Sequence, residues 1–216
     1  MGGGKVFSGN LDVERLLAPY CPQGVAPMTV ELLRRYLELL QKWNARTNLT
    51  AIRNPAEIVC RHFGESLALS SLLGEQSDLA GKTLFDLGSG AGFPGVPIAL
   101  SQPELRVTLI ESQAKKAVFL RELVRELRVN NCSVFANRAE GLTNQADLVA
   151  MRAVDKMEKM VSVAHSLLVP RGTLAIMAGR KQKSPDLTVF ASVREVSAAN
   201  NTKVLLATRG DQFKIC

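Results

Sequence analysis

Leu84-Phe85-Asp86-Leu87-Gly88-Ser89-Gly90-Ala91-Gly92-Phe93-Pro94-Gly95 carries the strongest structural signal in this chain. An apolar strand that ends in the acid Asp86 runs into a glycine-rich turn, and a helix is expected to follow. Glycines let the backbone adopt positive φ angles and pass close to a ligand. Because open α/β sheets bind their ligands at the carboxyl ends of the strands, the stretch predicts a ligand site at this turn.

Short apolar runs alternate with helical segments after residue 82, which predicts an α/β fold with a mostly parallel sheet and helices on both faces. Helices are predicted from Gln113 to Arg128 and from Lys156 to Leu168. The last two strands have no helix between them, so they should form an antiparallel hairpin at the edge of a seven-stranded sheet. The predicted strands are Thr83–Leu87, Arg106–Ile110, Cys132–Ala136, Asp147–Met151, Thr173–Met177, Glu195–Ala198 and Val204–Thr208.

The amino-terminal part has a helical pattern, and we predict a helical region over residues 1–78 and a ligand-binding domain over residues 79–216. Thr29 is expected to cap a first helix, whose apolar residues recur at helical spacing. Asn54 is expected to cap a second helix, with Pro55 at its first position and Glu57 three residues after the cap.

Composition limits the class of protein. The chain has 216 residues, of which 46% are hydrophobic, enough to bury one full core. No apolar run approaches the ~18–20 residues of a membrane span, and the first residues lack the features of a secretory signal. The four cysteines are too scattered for a zinc site or a disulfide framework, so we expect a cytoplasmic protein without metal. The net charge of +7 favours a polyanionic partner.

Two classes of cofactor are compatible with the glycine-rich turn. Gly90, Gly92 and Gly95 fit a G-x-G-x-x-G dinucleotide pattern, and Glu111 follows at a suitable distance to accept ribose hydroxyls. Asp86, however, would repel a pyrophosphate and suits a cofactor with an ammonium group. This favours S-adenosylmethionine, placed against Gly88 and Gly90, over a nicotinamide dinucleotide. Glu111 would serve either cofactor and does not discriminate.

Further motifs share a pattern with one known family. They are Asn48-Leu49-Thr50, Arg61-His62-Phe63, Asp86 to Ile98, Lys116 with Phe119-Leu120-Arg121, Arg138-Ala139-Glu140 and Arg152-Ala153. Over about residues 30–180 the chain resembles the RsmG (GidB) family of 16S rRNA guanine-N7 methyltransferases. The resemblance implies a Rossmann-like class I methyltransferase fold with a small helical amino-terminal region. It also implies methylation of guanine N7 in a hairpin of 16S rRNA near the decoding centre.

The resemblance further implies where the cofactor is held. Gly88 and Phe93 belong to the loop, Ala139 and Glu140 should flank the adenine, and Arg152 should lie beside the methyl group. Two segments depart from the family. Gly64-Glu65-Ser66 stands where the family usually has a large apolar residue, Asp and Ser, and Ala178 stands where a Lys often precedes Gly179. RNA phosphates are therefore expected at Arg180 and Lys181.

The chain contains two histidines, His62 and His165, and no evident catalytic base. Guanine N7 carries a lone pair and no proton, so methylation there needs positioning and no deprotonation. We therefore name no catalytic residue. The expected partner is 16S rRNA or a small-subunit precursor, and the expected state is a monomer. Three alternatives stay open: a methyltransferase of small molecules or proteins, a nicotinamide-dependent oxidoreductase, and a non-catalytic ribosome-assembly factor.

Overall fold

A seven-stranded sheet forms the centre of the structure, a computed structural model that describes residues 11–152, 157–177 and 184–211. The strands are β1 (Thr83–Leu87), β2 (Arg106–Ile110), β3 (Cys132–Phe135), β4 (Ala146–Arg152), β5 (Leu168–Met177), β6 (Ser192–Ala198) and β7 (Thr202–Thr208). Their spatial order is β3-β2-β1-β4-β5-β7-β6. The first five strands run parallel, whereas β7 pairs antiparallel with β5 and β6. This confirms the predicted mostly parallel sheet with an antiparallel edge hairpin.

Helices cover the sheet on both faces. They are α1 (Val13–Leu17), α2 (Pro27–Thr47), α3 (Pro55–Ile58), α4 (Glu65–Gln76), α5 (Gly95–Ser101), α6 (Ala114–Leu127) and α7 (Met157–Leu167). Because side chains of a strand alternate between faces, Leu84 of β1 joins one buried cluster and Phe85 joins the other. The first cluster includes residues of α2, α4, α5 and α6, and the second includes residues of α7.

The amino-terminal helices share a hydrophobic core with the sheet. Leu33 of α2, Phe63 just before α4 and Leu69 of α4 are fully buried in the same cluster as Leu84 of β1. The predicted boundary between residues 78 and 79 stays a prediction. Within the described part of the chain, no helix combines the length and the hydrophobicity that crossing a membrane requires.

The two predicted helix starts had different outcomes. Asn54 caps α3 as predicted, because its side chain accepts a hydrogen bond of 3.0 Å from the Glu57 N–H. The predicted cap at Thr29 is wrong, since α2 begins at Pro27 and Thr29 lies inside the helix. Proline suits the first helical position, where its fixed φ is favourable and its missing N–H is not needed. The Thr29 hydroxyl instead lies 3.5 Å from the carbonyl oxygen of Leu100.

A π-helical segment, Val59–Gly64, joins α3 to α4 without a break. Such segments insert an extra residue into a helical turn, and they are frequent at functional sites. Gly64 at its end has an ordinary helical conformation, but the ring of Tyr20 lies where its side chain would be. A Cβ at Gly64 would approach three atoms of that ring to 2.5–2.8 Å. The contact explains why glycine is required at this position.

Replacing Gly64 with alanine is expected to destabilise the fold by about 1–3 kcal/mol, the usual range for overpacking. In a solvent-exposed helix, replacing glycine with alanine would stabilise the fold by up to ~1 kcal/mol. A decrease in the free energy of unfolding would therefore indicate the clash with Tyr20. Chemical denaturation measures the free energy of unfolding. In a Tyr20→Ala background the penalty should largely disappear. An equal penalty in both backgrounds would show that the ring is not its cause.

Candidate active site

The glycine-rich turn leaves β1 and closes over the end of β2. The N–H groups of Gly88 and Ser89 donate to the carbonyl oxygen of Ile110, at 2.9 and 3.1 Å. Gly88, Gly90 and Gly92 have φ angles of +71°, +56° and +95°, a region that residues with a side chain rarely adopt. The turn therefore requires glycine, and it leaves Gly88 exposed at the edge of the sheet.

Asp86 is fully buried beneath this turn. Its Oδ2 accepts a hydrogen bond of 3.0 Å from the N–H of Gly95, at the first residue of α5. Burial raises the pKa of Asp86 to about 7, although the hydrogen bond from Gly95 opposes that rise. Asp86 thus fixes the direction in which the chain enters α5, and its attraction to a ligand ammonium stays a prediction.

Glu111 follows β2 and links the turn to the next helix. Its Oε2 accepts from the N–H of Gly90 at 3.0 Å, and its Oε1 accepts from the N–H of Gln113 at 2.7 Å. Each carboxylate oxygen has two lone pairs, so each retains one free acceptor position. Two neighbouring free acceptors match the two hydroxyls of a ribose.

Phe93 anchors the turn to the amino-terminal helices. Its ring stacks on His62, with centroids 4.5 Å apart, and on Tyr36, with centroids 5.3 Å apart. The Tyr36 hydroxyl donates to the carbonyl oxygen of Ala91 in the same turn. Phe93 has 6% of its surface exposed, so most of its ring is used in packing. Its predicted contact with a cofactor stays a prediction.

His62 lies in the π-helical segment beside the turn. Its Nε2 is 2.8 Å from the hydroxyl oxygen of Thr50. Burial lowers the pKa of His62 to about 3, and the positive charges of Arg152 and Arg61 lower it further. The imidazole is therefore neutral near pH 7 and a weak base, which agrees with the expectation that His62 does not abstract a proton.

Arg152 ends β4 at the same level as Gly88. Leu87 of β1 pairs with Met151 of β4, so the next residues of both strands emerge side by side. Nη2 of Arg152 donates to Oε2 of Glu65 at 2.8 Å. Nη1 is buried without a hydrogen-bond partner among the residues that the structure describes. Burial lowers the pKa of Arg152, and the negative charge of Glu65 raises it.

Sequence reasoning did not assign a role to Glu65. The only signal was its position after the Arg61-His62-Phe63 motif, in a segment that departs from the family. Its pairing with Arg152 joins residues 87 positions apart, which spacing along the chain does not reveal.

Ala139 and Glu140 form a short 3₁₀ turn after β3. Ala139 is buried, whereas Glu140 is exposed and forms an ion pair of 2.7 Å with Lys159. The hydrogen bond from Lys159 lowers the pKa of Glu140. The N–H of Glu111 donates to the carbonyl oxygen of Phe135, which brings the ends of β2 and β3 together.

The structure thus brings most of the predicted residues to one edge of the sheet. These residues lie at the carboxyl ends of four adjacent strands. In the order β3, β2, β1 and β4, they are Ala139 with Glu140, Glu111, Gly88 with Gly90, and Arg152. Arg180 and Lys181 lie outside the described residues. Among the residues described, no three His, Cys, Asp or Glu side chains are grouped as metal ligands would be.

The chemistry of these groups fits a nucleoside joined to an amino acid. Glu111 offers acceptors for a ribose, and the exposed turn at Gly88 lets a ligand approach the backbone. The buried Nη1 of Arg152 offers a positive donor that no described residue uses. Glu111 would serve the ribose of S-adenosylmethionine or of a dinucleotide, so these groups do not by themselves choose between the two cofactors.

Sequence comparisons identify relatives over most of the chain. The model of the family described as rRNA small subunit methyltransferase G matches residues 29–212. A ribosomal RNA small subunit methyltransferase G from Stenotrophomonas maltophilia (strain K279a) is 42% identical over 184 residues, covering 81% of this chain and 84% of that protein. The enzyme of the same name from Xanthomonas euvesicatoria pv. vesicatoria (strain 85-10) is 46% identical over 149 residues, or 68% of each chain.

Solved structures with the same fold include two that contain S-adenosylhomocysteine. An RNA methyltransferase from Salinibacter ruber aligns with a TM-score of 0.53 at 18% identity, covering 68% of this chain and 94% of that one. Magnesium protoporphyrin IX methyltransferase from Synechocystis PCC 6803 aligns with a TM-score of 0.59 at 17% identity, covering 81% of this chain and 100% of that one. These similarities confirm the predicted class I methyltransferase fold.

Proposed function

The chain belongs to the rRNA small subunit methyltransferase G family, and from this membership we propose that it methylates N7 of a guanine in 16S ribosomal RNA. It is an S-adenosylmethionine-dependent rRNA methyltransferase. The observation that carries the proposal is that the family match, residues 29–212, contains the whole edge of the sheet described above. The proposal that N7 is the methylated atom of the guanine rests on the family resemblance and on a reaction that needs no catalytic base.

We place the cofactor along the carboxyl edge of the sheet. The proposed contacts are Gly88, Gly90 and Phe93 of the turn, Glu111 at the ribose, Ala139 and Glu140 at the adenine, and Arg152 near the reacting group. When bound, S-adenosylmethionine supplies a methyl group activated by a positively charged sulfur. The free acceptor positions of Glu111 and the unused donor of Arg152 support this placement.

The chain's own residues have two tasks in this reaction. They must hold the base so that N7 lies in line with the methyl group, and they must stabilise the positive charge that develops on the ring. They need not remove a proton, because N7 carries none. The low pKa of His62, about 3, is consistent with such a site.

The proposed substrate is 16S rRNA within a small ribosomal subunit or its precursor. The net charge of +7 supports a polyanionic partner, and Arg180 and Lys181 are the proposed phosphate contacts. The target base would be presented from a loop, because RNA helices hide the edges that an enzyme must reach. We further propose that the protein acts in the cytoplasm as a monomer.

Methyl transfer can be tested on small subunits from a strain that lacks the enzyme. Incubation with tritiated S-adenosylmethionine, nuclease digestion and nucleoside mass spectrometry should detect labelled 7-methylguanosine at one position of 16S rRNA. Subunits from the parent strain are the matched control and should take up little label, since that position is already methylated. Cofactor binding without labelled rRNA would contradict the proposal and favour a small-molecule or protein substrate.

A further inference from the structure

Methylation at N7 restricts how the enzyme can recognise guanine. The N7 edge must face the methyl group, so recognition falls on the opposite, Watson–Crick edge, as is usual for bases taken out of a helix. There guanine presents two adjacent donors, N1–H and the 2-amino group. Two donors side by side match the two oxygens of one carboxylate. This reasoning rests on the proposed function.

The acidic side chains at the edge of the sheet differ in their availability to a base. Asp86 has no exposed surface, and Glu111 is 5% exposed, with its free acceptor positions already assigned to the ribose of the cofactor. Glu140 is exposed but pairs with Lys159. The side chain of Glu65 is 26% exposed and hydrogen-bonded to Arg152, at the level of Gly88. Of these four acids, Glu65 alone is both accessible and held at the centre of the edge.

The partners of Glu65 hold its carboxylate while leaving acceptor positions free. Oε2 accepts from Arg152 at 2.8 Å, and the Arg152 side chain is only 14% exposed. Oε1 lies 3.9 Å from Nε of Arg61, a distance that is too long for a hydrogen bond. Oε1 and the second lone pair of Oε2 therefore remain available to a ligand.

We propose that Glu65 reads the target guanine, accepting hydrogen bonds from N1–H and the 2-amino group while Arg152 holds its carboxylate in place. No proton is transferred in this role, and both donor groups keep their protons. As N7 gains a methyl group the ring becomes positive, so both donors bind a carboxylate more strongly. Glu65 thus favours the transition state over the ground state. Adenine has a lone pair at N1, which a carboxylate repels.

Inosine provides the test, because it lacks only the 2-amino group of guanosine. Small subunits are reconstituted with ligated 16S rRNA that carries guanosine or inosine at the mapped position. For the wild-type enzyme, kcat/KM should fall by about 10–100-fold on inosine, as expected when a site built for a hydrogen bond loses its partner. Equal rates on the two substrates would overturn the proposal.

Glu65→Gln should lower kcat/KM on guanosine by about 100-fold, since its amide group turns a donor toward the donors of the base. Its preference for guanosine over inosine should shrink to about threefold or less. The ratio compares two substrates of one variant, so partial misfolding would not change it. If turnover is undetectable, the ratio of the affinities for guanosine and inosine RNA, measured with S-adenosylhomocysteine bound, tests the same contact in the ground state. If Glu65→Gln keeps the wild-type ratio of kcat/KM on guanosine to kcat/KM on inosine, the proposed role of Glu65 is wrong.

Glu57→Gln is the matched control. Glu57 lies two helical turns before Glu65, its side chain is 48% exposed, and it also contacts Arg61, at 3.6 Å. The Glu57→Gln enzyme should prefer guanosine over inosine to the same degree as the wild type. An equal loss of preference in both variants would assign the effect to net charge and overturn the proposal. Absence of 7-methylguanosine with the wild-type enzyme would instead contradict the proposed function before Glu65 is tested.

Discussion

Gly88→Val is expected to weaken binding of S-adenosylhomocysteine by at least about 100-fold, beyond detection in a routine calorimetric titration. The φ angle of +71° at Gly88 is strongly unfavourable for a β-branched residue, at about 1–3 kcal/mol. The turn would have to change its shape, although N–H bonds to Ile110 hold it in place. The added side chain would also project from the exposed point at which we place the cofactor.

Gly81→Val separates loss of the cofactor site from general strain. Gly81 lies before β1, at the opposite end of the strand from Gly88, and has a φ of +72°. A Cβ there would meet no atom within 4 Å. The variant should lose a similar amount of stability on thermal unfolding and still bind S-adenosylhomocysteine like the wild type. Unchanged affinity in Gly88→Val would move the cofactor site away from this turn.

The centre of the sheet could be predicted from the sequence because β1, β2 and β4 are short, largely buried apolar runs. The bounds predicted for β1 and β2, Thr83–Leu87 and Arg106–Ile110, are those observed. The start of β5 was missed, since it begins at Leu168 and includes Pro170. Its pairing with β4 shifts register after Leu168, and such an irregularity lets a strand accommodate a proline that regular pairing would exclude.

The helices were harder to predict where packing, and not capping, fixes their ends. Asn54 offers a side-chain acceptor and was identified correctly, whereas Pro27 begins α2 without any side-chain cap. The π-helical segment Val59–Gly64 was not foreseen, because one extra residue per turn barely changes an apolar pattern. The segment matters to the site, since it carries His62 and leads directly into Glu65.

The candidate site was predictable where it follows the backbone and unpredictable where side chains meet across the fold. Glycines with positive φ and an acid after β2 are visible in the sequence, and the parallel sheet brings them to one edge. The stacking of Phe93 on His62 and the bond between Arg152 and Glu65 depend on how the segment Val59–Gly64 and α4 pack against the sheet. No local pattern encodes that packing.

Arg152→Lys is expected to lower kcat/KM by about 100-fold or more, although the positive charge is kept. The guanidinium of Arg152 has two terminal nitrogens, of which Nη2 binds Glu65 and Nη1 has no partner in the described residues. A lysine has one nitrogen and cannot hold a carboxylate and a bound ligand in the same fork-like geometry. Steady-state kinetics should show a lower kcat, and titration should show weaker binding of S-adenosylhomocysteine.

Arg61→Lys is the control for this change, because Arg61 is 53% exposed and lies 3.9 Å from the same Glu65 carboxylate. It should stay within about threefold of the wild type, as is usual for an exposed ion pair. Wild-type activity in Arg152→Lys would mean that charge alone suffices there.

The double variant Arg152→Lys with Glu65→Gln connects both proposals. If Arg152 acts partly by holding Glu65, the two losses overlap and the double variant should be less impaired than the product of the single effects. Independent, multiplicative losses would mean that Arg152 serves the cofactor alone and that the carboxylate of Glu65 does not depend on it.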